Sequence, residues 1–529
     1  MPTLEIWLTS AAYAIILGLL LFFTAQPLFG ILQQECYGGR ALMKWYYRRR
    51  NEVQRRYSLL TLAAVLVAAF LALCFSFGGT ELSVFAAFIG YAGMCALYVY
   101  SSRYALKVPM KRTPRVIRLS VCFYIILAAI LFGLSIGFYV LSEAIGHPLA
   151  HVLLRTVPLA LAPLLFPLLL ALANAMMKCY EIPHTKKFIN LAKKKLEEAT
   201  CLKVGITGSF AKTSVKHFAA EILSKKFRVL ATPASYNTPV GIAKFVNEAG
   251  CDCDIFLAEM GARKRGDIQE LADMVCPSFA VITGICPQHL ETFGSLEAIK
   301  TEKGVLANYA ESVVLGASAC ELDKAGALLE GRDFSVQNVV CTRGGTSFEL
   351  LIGGERVAIQ TKLLGLHAAQ DVALAGALAF MLGMPIEEIA VAASALTPVP
   401  HRLEHLNENG LDILDDSYNS NVAGAKNAVA ALRLFGGKRY VVTPGLVELG
   451  EMEEQENARL GAQFVGLEGV ILVGETRVLS VRQGYLEAGG EEARLKVVSS
   501  LQKAQEILAE ELAAGDAVLF LNDLPDKYV

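Results

Sequence analysis

No C-x-x-C pair occurs among the 12 cysteines of this chain. That excludes a zinc ribbon, and a chain of this size with so few cysteines is no disulfide scaffold. Cys251 and Cys253 stand one residue apart and read as plain thiols, because a structural metal site wants about four ligands. The compartment they face is expected to be reducing. Charge is also scarce: 19% of residues are charged, against ~25% in an average soluble protein, which excludes a soluble enzyme of even composition. Acids are nearly missing from residues 1–176, which hold 5 of them against 14 Lys/Arg. Residues 177–529 hold 45 acids against 35 Lys/Arg. The formal net charge of −1 therefore joins a basic, apolar part to an acidic part of globular composition, long enough for about two domains. No nucleic acid is expected as a partner.

Five stretches in residues 1–176 are long and apolar enough to span a bilayer, at ~20 residues each: Ile6–Phe29, Tyr57–Phe77, Leu82–Tyr100, Leu119–Leu141 and Leu149–Met176. The first lacks the basic start of a cleavable signal peptide. Seven basic residues from Arg40 to Arg56 and six from Arg103 to Arg118 fill two of the connections, and Lys178, Lys186, Lys187 and Lys193–Lys195 follow the last span. The opposite loops, Gly78–Thr80 and Ser142–His147, have no Lys or Arg. The positive-inside rule then places the N-terminus outside and everything after Met176 in the cytoplasm, making a multi-pass protein of the cell membrane with the lipid bilayer as its partner. Arg155, near the start of the fifth span, either contacts a lipid phosphate or snorkels to the outer interface.

Beyond a basic juxtamembrane segment (177–199), short strands alternate with amphipathic helices. Strands are expected at Lys203–Thr207, Arg228–Ala231, Asp254–Ala258 and Phe279–Thr283, the pattern of a mostly parallel sheet whose ligands lie beyond the strand ends. The strongest signal is VGITGSFAKTSVK, Val204–Lys216. A strand runs into Gly208, and Lys212, Thr213 and Ser214 open the next helix. Backbone N–H groups of such a turn cradle phosphate, the lysine neutralises it and the hydroxyl ligates magnesium. Ala211 stands where such loops usually have glycine, and alanine suits that place only at negative φ.

The segments from about residue 200 onwards resemble the Mur ligase family, ATP-dependent enzymes that join an amino acid or dipeptide to a carboxylate. After the phosphate loop come ATPASYNTPVGIAKFVNE, AEMGARKRGDIQELADMVCPSFAVITGICPQHLETFGSLEAIKTEKGVL, VPHRLEH, ILDDSYNSNVAGAKNAVAAL and VVTPGLVELGEMEEQEN, in the family's order. They look most like the type that adds D-alanyl-D-alanine to the muramoyl peptide. The five spans occupy the place of the usual UDP-sugar domain. Beside the transmembrane domain (1–176) read from the apolar runs, the resemblance implies a P-loop central ATP-binding domain (200–397) and a Rossmann-like C-terminal domain (398–529).

It further implies ATP and magnesium as cofactors. Gly208, Ser209, Ala211, Lys212, Thr213 and Ser214 would bind the nucleotide, with Arg402 reaching its phosphates from the third domain. Asp416 and Asn419, in a segment running from Asp415 to Asn421, would line the cleft where nucleotide and amine meet. Thr213, Glu259 and His289 would hold magnesium, and Lys303 matches the family's carbamylated lysine, whose negative charge supports that site. Lys212, Lys303 and Arg402 are the candidate catalytic residues. Residue by residue, the bland alternatives are a solvated helix face for Lys303, an ion pair with Glu404 for Arg402 and a simple Asn/Asp turn after Asp415. Two motifs depart from the family: LGASACELD at Leu315–Asp323, and Gly365–Asp371, where both family asparagines are changed, to Ala368 and Asp371. The expected activity is a membrane-anchored, ATP-dependent amide ligase acting on a lipid-linked or UDP-linked muramoyl peptide, with an amino acid or dipeptide as amine. A non-catalytic nucleotide-binding regulator or scaffold of a cell-wall assembly is the second reading.

Overall fold

A computed structural model of the chain describes residues 3–35, 37–48, 110–146, 148–233, 236–287, 290–418, 420–447, 449–474 and 478–522, with six positions between 66 and 96. Residues 1–184 and 185–524 form separate units.

In the first unit, apolar sequence forms the helices Leu4–Gln34 and Pro114–Ile145 and the opening of Pro148–Glu198. The second begins where Thr113 accepts from Val116 N–H at 3.3 Å with proline at its first position, and ends at Gly146 with φ 68°, a stop that needs glycine's left-handed freedom. Phe123 is the hub of the packing: its ring meets Phe29 and Phe166 edge to face at 5.4 and 5.9 Å. Ser135 and Ser10 share a buried hydrogen bond of 3.1 Å between two of the helices, a polar contact of the kind that holds helices together in apolar surroundings. Three helices among the described residues are long and apolar enough to cross a membrane, matching the first, fourth and fifth expected spans. Of the second and third, Tyr57–Phe77 and Leu82–Tyr100, only those six scattered positions are described, and the side chain of Arg155 lies outside the described residues.

The second unit opens on the last turns of Pro148–Glu198, whose Ala192 and Leu196 are buried with Ile242, Ala243 and Val246. Then come strands β1 (Leu202–Thr207), β2 (Val229–Ala231), β3 (Ile255–Glu259), β4 (Phe279–Ile282), β5 (Ser312–Leu315) and β6 (Ala327–Leu329). They pair in the order β2-β3-β1-β4-β5-β6, all parallel. Strand β1 sits between β3 and β4, so the chain changes direction across the sheet at the end of β1, the place where open parallel sheets bind ligands. The strand expectations hold to within a residue at each end.

A three-stranded antiparallel sheet, β7 (Phe334–Thr342), β8 (Gly345–Ile352) and β9 (Glu355–Thr361), follows; the sequence reading had not drawn it. It shares a core with the helix Leu366–Met381 and the helix Lys212–Leu223. The third part carries β10 (Glu404–Glu408), β11 (Leu411–Asp416), β12 (Arg439–Thr443), β13 (Gly469–Val473), β14 (Leu495–Val498) and β15 (Ala517–Leu521). Their order is β10-β11-β15-β12-β13-β14, parallel except for β10, a Rossmann-like layer as expected.

Candidate functional site

The turn after β1 is shaped by backbone crowding. Gly208 has φ 151°, and a Cβ there would sit 2.0 Å from Thr283 Oγ1, so no other residue fits. Ser209 Oγ accepts from Cys286 N–H at 3.2 Å and donates to Cys286 O at 3.1 Å, tying the turn to the loop after β4. Ala211 then takes φ 60°, ψ −5°. This corrects the expectation of negative φ: closing the turn onto the helix Lys212–Leu223 forces the left-handed region, which costs a non-glycine residue about 1–2 kcal/mol. Lys212 Nζ donates to Gly208 O at 2.8 Å. Burial holds it below the ordinary lysine range, Glu259 opposes that shift and Arg402 adds to it.

One helical turn on, Lys216 is buried and its Nζ lies 3.0 Å from Glu259 Oε2. Asn237 Nδ2 donates to the other oxygen, Oε1, at 3.3 Å. Glu259 ends β3, is 2% exposed, and donates its N–H to Thr232 Oγ1 at 3.1 Å. Lys303, on the helix Leu296–Tyr309, is 3% exposed rather than on a solvated face. Its pKa falls to about 7, chiefly through burial and then through the charge of Lys212. No hydrogen-bond acceptor among the described residues holds its ammonium. Its neighbour Glu302 accepts from Gly266 and Ile268 N–H at 2.8 and 2.7 Å, capping the helix Asp267–Val275. Lys300, one turn before Lys303, is half-buried and paired with Glu297 and Glu321. His289 lies outside the described residues.

From the third part, Arg402 brings its guanidinium to 4.5 Å from the Tyr418 ring centre. It does not pair with Glu404, whose carboxylate accepts from His401 N–H instead. Asp416 accepts from Leu403 N–H at 3.1 Å; burial pushes its pKa up to about 7, against the pull of Arg402. Asn419 lies outside the described residues. A cleft open to solvent joins Ala211 and Ser214 of the turn to Arg402, Asp416 and Asn421. The altered motif lines the same cleft. Asp371 is 7% exposed, and burial and Glu330 push it well above the carboxylate range, against Arg402. Burial drops His367 to about 4, and its Nδ1 has no hydrogen-bond partner among the described residues.

Magnesium wants oxygen ligands. Thr213 offers a hydroxyl, and each Glu259 oxygen keeps lone pairs beyond the N–H it already accepts. The amine of Lys303 is the wrong donor, but its carbamate would present two oxygens. The donor set therefore fits magnesium if Lys303 is carbamylated, and a neutral amine, the form that adds carbon dioxide, is abundant at a pKa of about 7. Lys216 and Asn237 were missed from the sequence; only the lysine one turn after the phosphate-loop lysine hinted at them.

The Mur ligase middle domain matches residues 206–379 and the Mur ligase glutamate ligase domain residues 401–522. UDP-N-acetylmuramoyl-tripeptide–D-alanyl-D-alanine ligase of Escherichia coli is 29% identical over 331 residues, covering 58% of this chain and 73% of the relative. The Bacillus subtilis enzyme of that name is 28% identical over 346 residues, covering 62% and 75%. Among solved structures, MurF from Acinetobacter baumannii superposes with TM-score 0.58 at 21% identity, over 64% of this chain and 77% of that one. MurF ligase from Thermotoga maritima in complex with ADP gives TM-score 0.56 at 24% identity, over 64% and 80%. With the phosphate turn, the buried lysine and the two α/β layers in family order, the chain belongs to the Mur ligase family of ATP-dependent carboxylate–amine ligases.

Proposed function

We propose that this protein is a membrane-anchored ligase of cell-wall precursors. An acceptor carboxylate oxygen attacks the γ-phosphorus of ATP, the bond to the β-phosphate oxygen breaks, and ADP leaves an acyl phosphate. The amine of an amino acid or dipeptide then adds to the acyl carbon, and the tetrahedral intermediate expels phosphate as the nitrogen loses its proton. Lys212 neutralises the phosphates held by the turn from Gly208 to Ser214. Arg402 meets the charge that spreads over the equatorial oxygens of the transferring group. Thr213, Glu259, His289 and carbamylated Lys303 would hold magnesium, which screens the repulsion between carboxylate and phosphate. Asp416 and Asn419 border the amine's approach.

One observation carries this reading: Arg402 of the third part and the phosphate turn of the central part line one cleft. It favours turnover over a purely scaffolding role, which needs no arginine brought to the phosphate turn from another part of the chain. The relatives' names point to a muramoyl tripeptide as acceptor and D-alanyl-D-alanine as amine. Three long apolar helices and the basic loops support anchoring, and with it an acceptor presented at the membrane. The test is phosphate release by detergent-solubilised full-length protein, screened over UDP-linked and lipid-linked muramoyl peptides with amino acids and dipeptides. Release that needs both an acceptor and an amine supports the proposal. Nucleotide binding with no acceptor-dependent release would overturn it.

A further inference from the structure

The charge around Glu259 is not what a free-standing cation site requires. Its Oε2 is 3.0 Å from the Lys216 ammonium, and both side chains are at most 5% exposed. Asn237 takes Oε1, and Lys216 also donates to Pro233 O at 3.4 Å. Lys212 and Arg402 stand within electrostatic reach of one another, and Lys212 of Glu259 and Lys303. The neighbouring acids are engaged elsewhere: Glu302 binds the amides of Gly266 and Ile268, and Asp267 those of Arg263 and Lys264. Before any carbamylation of Lys303, the surroundings of Glu259 are thus rich in cations, chiefly Lys212 and Arg402, with its own charge matched by one lysine.

We propose that Lys216 is the resident counter-ion of Glu259, and that the site therefore takes a divalent cation only together with a polyphosphate. A polyphosphate supplies several negative charges that cancel Lys212 and Arg402, and it adds oxygen ligands of its own. Without it, a divalent ion meets an already neutralised carboxylate among like charges, at short range and out of water, where such repulsion is strong. Lys216 is then a positioning residue: it holds the carboxylate in place and sets the order in which ligands arrive. The proposal rests on the ligase reading for the identity of the polyphosphate alone.

The test uses full-length protein in detergent, with manganese(II) followed by electron paramagnetic resonance and Glu259→Gln as the background for other sites. Wild type should bind manganese alone no better than Glu259→Gln. Lys216→Met should gain a site about tenfold tighter, because a buried positive charge beside the ligand has gone; the gain should vanish when Glu259→Gln is added. A non-hydrolysable ATP analogue should bind wild type about tenfold more tightly with manganese than without it, a difference on the scale of one such charge. Wild type holding manganese alone at a Glu259-dependent site as tightly as Lys216→Met would overturn the proposal, as would Lys216→Met binding manganese no better than wild type. If Lys216→Met does not fold, Lys216→Gln keeps the length and a hydrogen bond and answers the same question. Failure of wild type to bind the analogue would sink the ligase reading alone, since the titrations without nucleotide stay decisive.

Discussion

Replacing Lys303 by methionine should make the protein more stable and inactive at once. The folded chain releases the Lys303 proton at a pKa of about 7, whereas an exposed lysine releases it near 10.5. Between those values the unfolded chain binds more protons than the folded one, so stability climbs with pH across that window. Below pH 7 both forms are protonated and the full cost of burying the charge remains. At about 1.36 kcal/mol per unit, that cost is on the order of 5 kcal/mol, an upper figure. Methionine has similar length and no charge, so Lys303→Met should remove most of it. Melting of the full chain in carbon dioxide-free buffer at pH 6 should rise by about 5 °C or more, given roughly 2–4 °C per kcal/mol in a domain of this size. The gap should shrink by pH 9, because deprotonation relieves the wild type. Bicarbonate should also narrow it, because carbamate forms only in the folded site. Acceptor-dependent phosphate release should be lost. A variant that melts at or below wild type at pH 6 would refute the reasoning.

Ala211→Gly should relieve the left-handed strain of about 1–2 kcal/mol, less about 0.4–1 kcal/mol for a more flexible unfolded chain. It should therefore melt slightly higher and bind an ATP analogue at least as well; weaker binding would contradict the turn geometry. Lys212→Ala should abolish ATP-dependent phosphate release yet leave the protein in the membrane fraction, and wild-type turnover would remove the phosphate turn from the mechanism. A reporter fused after Val529 should respond from the cytoplasm and one at the N-terminus from outside; the reverse result would undo the orientation drawn from the basic loops.

The parallel sheet was legible because each of its strands is a short apolar run bounded by turn residues, as at Leu202–Thr207 and Ile255–Glu259. The antiparallel sheet β7–β9 carried its own signals, Gly344–Gly345 and Gly353–Gly354 between alternating strands, and was overlooked beside the stronger motifs. What the sequence hid is pairing across distance. Lys216 and Glu259 are 43 residues apart, and nothing local says that a lysine inside an amphipathic helix points at a carboxylate. The sign of φ at Ala211 is likewise set by how the turn closes against Thr283 and Gly284. At Arg402 sequence proximity alone offered Glu404 as the alternative to a phosphate role, yet the backbone of His401 takes that carboxylate.

Glu302 and Lys303 are successive residues on one helix, so their side chains leave it about 100° apart. One is fastened to the start of the helix Asp267–Val275, and the other is buried beside the phosphate turn. The helix is thereby fixed in rotation as well as position. Between Ser295, which caps it, and Glu302, residues can be exchanged freely on the outer face, but none can be added or removed. A single insertion there would swing both side chains by about a quarter of a turn, pulling the cap from one helix and the lysine from the site together. This stretch of the chain is thus tolerant of composition and intolerant of length.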